Sequence, residues 1–210
     1  MSNHVRYLQG TRIAKRAQFL TPDEAARIVA IAERAGAASS WGVADDYAQA
    51  TVDLEVDRVP ELRAYLLGGR ADVAVCRVGG VDLVARLQAH YRAAHGAAIA
   101  AFDDLFVVKY DVASGGQCEL VLHTDAGDLS FMVALSAADG YAGGGTFFKS
   151  LGETVHLELG EILTFSAPGA FHKGVPLTRG KRYLLVGFCL LDPVQATASG
   201  NLDLTLSMIP

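Results

Sequence analysis

The sequence predicts one α+β domain in which N-terminal helices pack outside a jelly roll or barrel of short strands. Three observations predict it. The chain has 210 residues, a length that suits one domain. Its apolar spacing changes from a helical period to a period of two near residue 100. Beyond that point turn residues recur about every ten positions.

The first helix is signalled by Thr21-Pro22-Asp23-Glu24, which combines an N-cap threonine, a proline at the first helical position and a glutamate at the third. It should run from Pro22 to Ala35, burying Ile28, Ile31, Ala32 and Ala35, with Gly36 as its stop. Residues 38–60 follow with Trp41, Tyr47 and the alternating run 51–56, which read as a loop and then a strand, and together as a candidate lid, with a plug of the helix–barrel junction as the equal alternative for Trp41. A second long helix is predicted over Val81 to Ala94, from the spacing of Leu83, Leu87, Tyr91 and Ala94. Eight strands then follow: 105–111, 117–125, 129–136, 145–149, 154–159, 162–166, 171–175 and 182–190. Gly115-Gly116, Asp139-Gly140, Gly143-Gly144, Gly152, Gly160, Pro168-Gly169 and Arg179-Gly180 separate them. So many short strands suit a roll whose interior is a ligand cavity.

Composition narrows the function. With 51% hydrophobic and 20% charged residues the chain can bury a large core and lacks the signature of disorder. Its 18 basic and 23 acidic residues give a net charge of −5 with no Lys/Arg cluster, so nucleic acid is not an expected partner. The longest apolar stretches are about half the roughly 20 residues a bilayer span needs, and no secretory signal is recognisable, so neither a membrane nor export is expected and the expected location is cytoplasmic. Cys76, Cys118 and Cys189 are too few and too scattered for a disulfide framework or a metal site, and read as buried small hydrophobes.

The chemistry is carried by His123-Thr124-Asp125, where positions i and i+2 of a strand share a face and can hold one ion together. Such a triplet alone recurs by chance. His172, near the start of the next-to-last predicted strand, and Arg182, at the start of the last, would open into the same cavity of a double-layered roll. The other histidines, His4, His90, His95 and His156, read as structural. The glycine run 143–145 reads as a strand turn, because the lysine and strand-to-helix context of a phosphate loop are missing.

Read in order, Phe106-Val107-Val108-Lys109-Tyr110, His123-Thr124-Asp125, Gly143-Gly144-Gly145-Thr146-Phe147-Phe148, Gly160-Glu161-Ile162-Leu163-Thr164-Phe165, and His172-Lys173-Gly174-Val175-Pro176 leading to Gly180-Lys181-Arg182-Tyr183 resemble the Fe(II)- and 2-oxoglutarate-dependent oxygenases, within them the prolyl 4-hydroxylase-like branch. The resemblance covers about residues 100–191 and is loose in the helical half. It implies a double-stranded β-helix, with residues 1–100 as helical support and candidate lid, 101–192 as the catalytic jelly roll and 193–210 as a C-terminal tail. It implies His123, Asp125 and His172 as iron ligands and Arg182 as the cation for the distal carboxylate of 2-oxoglutarate, with Tyr110 and Thr146 in positions that reach the co-substrate. In some relatives a tyrosine before the Leu of the third strand also touches 2-oxoglutarate, and here that residue is Ala134.

Elementary chemistry agrees with the implied roles. Two neutral imidazoles and one carboxylate leave adjacent positions on an iron open for a chelating 2-oxo acid and dioxygen. The planar fork of arginine suits a buried carboxylate. Lys181 competes for that role by one position, and strand parity favours Arg182, which shares a face with Leu184 and Val186. The expected activity is hydroxylation of an unactivated C–H bond in a small molecule, an amino acid or a peptidyl residue, with Fe(II) as cofactor, 2-oxoglutarate and dioxygen as co-substrates and ascorbate as a supporting reductant. Retention of the Asp125 carboxylate, which related halogenases replace with a small residue, favours hydroxylation over halogenation. The competing reading is a non-catalytic jelly roll that binds a ligand or acts as a sensor.

Overall fold

Thr21 and Glu24 cap the first helix in the reciprocal way their spacing predicts. The Glu24 backbone N–H donates to Thr21 Oγ1 (3.2 Å) and the Thr21 N–H donates to Glu24 Oε2 (2.8 Å). The structure, a computed structural model, describes residues 6–8, 12–44, 51–68, 80–113 and 117–192. Two short strands, β1 (Arg6–Tyr7) and β2 (Ala14–Arg16), precede α1 (Pro22–Ser39). α1 therefore passes through Gly36 instead of stopping there. The glycine is buried in the helix because a Cβ at that position would overlap the Trp41 indole, so the missing side chain makes room for packing and does not terminate the helix. The chain leaves the helix at Ser40, whose φ is +70°.

β3 (Gly42–Ala44) and β4 (Thr51–Glu55) form a hairpin, and α2 (Pro60–Leu67), absent from the sequence reading, starts on a first-turn proline and buries Leu62 and Leu66. α3 (Leu83–His95) lies within two residues of its predicted span, capped by the Asp82 carboxylate at Ala85 N (3.0 Å) and ended by Gly96 in the left-handed region. Arg86 of α3 ties it to α1 through Glu24 at 2.6 Å.

The second half supplies β5 (Ile99–Asp111), β6 (Leu120–His123), β7 (Leu129–Ala134), β8 (Tyr141–Gly143), β9 (Thr146–Phe148), β10 (Glu153–Val155), β11 (Ile162–Ser166), β12 (His172–Gly174) and β13 (Leu177–Leu191). The eight predicted strands are all present, β11 with its predicted ends and the other seven with altered ones, and β8 is additional. The predicted turn at Arg179-Gly180 is instead a bend inside β13. Gly180 has φ +80° and lies against the Gly140 carbonyl, where a Cβ would clash, and the bend lets β13 pair first with β8 and then with β5 and β7.

One sheet runs β1-β2-β11-β7-β13-β5-β4-β3, with β8 on β13, and the other runs β10-β9-β12-β6. Facing each other, they form the jelly roll the sequence predicts. The large sheet is covered on both faces, which is why its central strands are apolar almost without alternation. Tyr183, Leu185 and Cys189 of β13 pack with the helices, in a cluster that includes Ile28, Leu66 and Leu87. Their neighbours Leu184, Val186 and Phe188 point to the other layer, with Phe106, Phe148 and Phe165. Cys118 is partly buried and Cys189 buried, both as free thiols, while His4, Tyr47, Cys76 and Gly115-Gly116 lie outside the described residues. No helix among the described residues is long and apolar enough to cross a membrane.

Candidate active site

Two neighbouring strands of the smaller sheet bring the site together. β6 and β12 pair antiparallel with His123 and His172 as direct partners, and Asp125 follows in the turn after β6. The ligand-type atoms of His123, Asp125 and His172 all lie within 4.8 Å of one another. Both imidazoles aim Nε2 at Asp125 Oδ1, at 3.3 Å from His123 and 3.5 Å from His172. Donors at right angles around an ion bound at about 2.1 Å stand about 3 Å apart, so these three need only a small adjustment to share one.

The backbone sets which nitrogen is free. His123 Nδ1 donates to the Val121 carbonyl (2.7 Å) and His172 Nδ1 donates to the Ala170 carbonyl (2.8 Å). A carbonyl can only accept, so each ring carries its proton on Nδ1 and presents the Nε2 lone pair to the centre. His172 is further fixed by Phe148, stacked at 5.5 Å and 27°, and by Phe165, edge-on at 4.9 Å and 67°. Neither the two carbonyls nor the two phenylalanines were singled out from sequence. The signal was available for both phenylalanines, each of which closes one of the two glycine-led motifs, 143–148 and 160–165.

Electrostatics differ between the two histidines. Burial, the largest influence on His172, lowers its pKa, and the Asp125 carboxylate offsets part of that. Burial also opposes charge on the less enclosed His123, but its contact with Asp125 and the Val121 carbonyl outweigh it, so that pKa is raised. Both are poised to be neutral donors once a cation takes the place of the proton.

The triad opens into a cavity of about 60 Å³ between the sheets. Tyr110 and Thr146 line it; the Thr146 hydroxyl donates to Met132 Sδ at 3.3 Å, and burial raises the Tyr110 pKa against the opposing pull of Arg182. Arg182 is 3% exposed on the cavity face of β13, with its guanidinium over the Tyr110 ring at 5.7 Å and one long hydrogen bond to the Gly145 carbonyl at 3.4 Å. Among the described residues no carboxylate ion-pairs with it. Lys181 points the other way and pairs with Asp111 at 3.1 Å. Ala134 is buried and offers no polar group.

The remaining sequence-derived residues lie elsewhere. His90 and His95 of α3 both contact Thr164 Oγ1, at 3.0 and 2.9 Å, and His156 is exposed. Trp41 does not close over the cavity. It packs against Tyr183 (6.3 Å) and under Lys109 (5.0 Å), and Tyr183 is the neighbour of Arg182 that faces the helices, so the indole sits on the far side of the large sheet. Lys109 and the Tyr183 hydroxyl in turn donate to Glu33 of α1, at 2.9 and 2.6 Å. Trp41 belongs to the helix–sheet junction.

No family model and no curated protein matches the sequence. Solved structures do match in shape. A collagen prolyl hydroxylase of Paramecium bursaria Chlorella virus-1, described as a 2-oxoglutarate complex, is 16% identical and aligns over 88% of this chain and 98% of its own, with a TM-score of 0.54. A Pseudomonas putida prolyl-4-hydroxylase is 15% identical over 86% and 93%, with a TM-score of 0.59. The non-heme alpha-ketoglutarate-dependent epimerase SnoN from nogalamycin biosynthesis is 16% identical over 84% and 76%, with a TM-score of 0.62. The resemblance seen in the sequence thus extends to the whole architecture: the chain has the jelly-roll fold that these prolyl hydroxylases and the epimerase share.

Proposed function

We propose that this protein is a non-heme Fe(II)- and 2-oxoglutarate-dependent oxygenase that hydroxylates an unactivated C–H bond. The observation that carries the proposal is the convergence of two Nε2 lone pairs and one carboxylate on a cavity whose Tyr110 wall is backed by a buried arginine without an acidic partner among the described residues. His123, Asp125 and His172 would hold the iron, a donor set that suits this metal and leaves adjacent positions open. Arg182 would hold the distal carboxylate of 2-oxoglutarate, with the Tyr110 ring packed under its guanidinium. The iron, when bound, supplies the chemistry that couples dioxygen and 2-oxoglutarate decarboxylation to oxidation of the substrate.

The protein's own contribution is geometric. The Val121 and Ala170 carbonyls hold both imidazoles in the ligating tautomer, Phe148 and Phe165 fix the His172 ring, and the apolar walls keep water from the reacting group. Anaerobic addition of Fe(II) and 2-oxoglutarate should produce the visible charge-transfer band of the chelate, and His172→Ala should abolish it. A succinate-release screen of amino acids, peptides and small molecules, with ascorbate present, then identifies the substrate class. A non-catalytic jelly roll would bind ligand with no iron-dependent consumption of 2-oxoglutarate. A product that gains no oxygen but inverts a stereocentre would assign the outcome carried by SnoN in place of hydroxylation.

A further inference from the structure

One edge of the smaller sheet, beside the triad, is uncovered. Among the described residues β6 pairs on one side only, with β12, and the register shifts between the pairs His172–His123 and Gly174–Leu120. Val121 and Leu122 therefore stand together opposite the single residue Lys173, a bulge that leaves Val121 43% and Leu122 46% exposed. Phe171, diagonal to Leu122 across the strand pair and so about 7–8 Å from it, is 48% exposed. Among the described residues seven large apolar side chains are exposed, and these three lie within two residues of His123 or His172. β10, at the other edge of the same sheet, carries none. A bulged edge is a poor template for a further strand, so side chains and not backbone bonds are what can cover it.

The chain leaves the described structure at the same end of the molecule. The Leu191 N–H donates to Asp128 Oδ2 (2.9 Å), and Asp128 sits three residues past Asp125 in the turn from β6 to β7. The Asp128 carbonyl accepts from the Ala167 N–H (3.0 Å), at the head of the loop that ends in Phe171. Asp192 is the last described residue. Further on, residues 202–208 read Leu-Asp-Leu-Thr-Leu-Ser-Met, an alternation that in an extended segment puts Leu202, Leu204, Leu206 and Met208 on one side. The nine residues between, 193–201, can span up to about 30 Å.

We propose that residues 202–208 seat this apolar side on Val121, Leu122 and Phe171 of the same chain, as a strap along the edge that carries His123. Contact releases water from two apolar surfaces that each lack cover of their own. Tethering holds the segment near the patch at roughly millimolar effective concentration, so at micromolar protein a second copy competes poorly. The His123 side chain is 19% exposed against 4% for His172, so solvent reaches the triad from the β6 side. A strap on that side narrows the approach, and its release opens it.

The strap requires neither metal nor co-substrate, so its test stands apart from the oxygenase reading. Hydrogen exchange read by mass spectrometry on the full metal-free chain measures both partners of the contact. The double variant Leu204→Asp/Leu206→Asp should speed exchange over residues 119–123 and 170–173 at least about fivefold, and Leu122→Asp should speed exchange over 202–208 by a similar factor. Val84→Asp, at an exposed position of α3, should change neither. Where Leu122→Asp does not fold, Phe171→Asp takes its place with the same expected direction. Loss of protection in neither direction, or in one alone, overturns the inference. Protection of 202–208 that rises between about 1 and about 50 µM protein would place the segment on a second copy and overturn the same-chain assignment. Diethylpyrocarbonate reads the approach to the triad directly: it should modify His123 at least about threefold faster in the double variant than in the unaltered chain, and equal rates would overturn the narrowing.

Discussion

Replacing Arg182 with methionine removes a guanidinium that is 3% exposed and that meets, among the described residues, one carbonyl at 3.4 Å and one aromatic ring at 5.7 Å. Two consequences of opposite sign follow. In the ligand-free protein a buried cation without a counter-charge among the described residues is a burden, and exchange for an apolar side chain of similar length is expected to be neutral or stabilising, by up to roughly 4 kcal/mol. In the loaded protein the same exchange leaves the distal carboxylate of 2-oxoglutarate buried and unpaired. That costs about 3–5 kcal/mol, or roughly two to three and a half orders of magnitude in affinity. Urea unfolding without ligand measures the first effect, and titration of the anaerobic charge-transfer band with 2-oxoglutarate measures the second. Lys181→Ala is the control. Its ammonium is about half exposed beside Asp111, a pair expected to contribute under about 1 kcal/mol, and it should change 2-oxoglutarate affinity less than threefold. Loss of ligand-free stability in Arg182→Met with unchanged 2-oxoglutarate affinity would refute the reasoning, and a larger affinity effect in Lys181→Ala would move the role to the other face of β13.

Removing one proposed iron ligand should be equally decisive. At an Fe(II) concentration of about 100 Kd the unaltered protein gains about 2.7 kcal/mol against unfolding, and His172→Ala should gain nothing at that concentration in the same thermal-shift measurement. Acid should destabilise the protein through His90 and His95. Burial, first, and neighbouring positive charge lower both to about 4, against 6.5 for the free side chain, so the unfolded chain binds protons that the folded one refuses. Stability should therefore be level above pH 6.5 and fall between 6.5 and 4, by on the order of 3 kcal/mol for fully buried His90. His90→Leu should flatten that slope in urea titrations at pH 7.5 and 5. Gly36→Ala drives a methyl into the Trp41 indole and should cost about 1–3 kcal/mol, while 2-oxoglutarate affinity stays within twofold because the indole lies across the sheet from the cavity.

Where the sequence was legible, a local rule and the global fold asked for the same residue. The capping box at Thr21 needs only three neighbours, and the structure keeps it unchanged. Parity along β13 separated Arg182 from Lys181 because the strand is regular from Lys181 to Phe188, where each register step moves one residue on both strands. His123 and His172 are distant in sequence and become direct partners only through the pairing of β6 with β12. A ligand motif within a resembling pattern could point to them before that pairing was known.

Other features depend on tertiary placement that no local window contains. Gly36 has the composition of a helix stop and serves as a helical notch, since what matters is an indole five residues later folding back on it. Gly180 has the composition of a turn and serves as a bend, because β8 needs a partner before β13 reaches β5. α2 is eight residues long, too short for its apolar period to stand out, and its burial of Leu62 and Leu66 depends on neighbouring helices. Trp41 shows the limit most directly. An aromatic residue in a loop can cover either face of a sheet, and the choice is made here by Glu33, Lys109 and Tyr183, three residues from α1, β5 and β13 that meet only on the helix side. The parity that turns Arg182 toward the smaller sheet turns Tyr183 away from it, so the alternation that places the buried arginine also draws Trp41 to the opposite face.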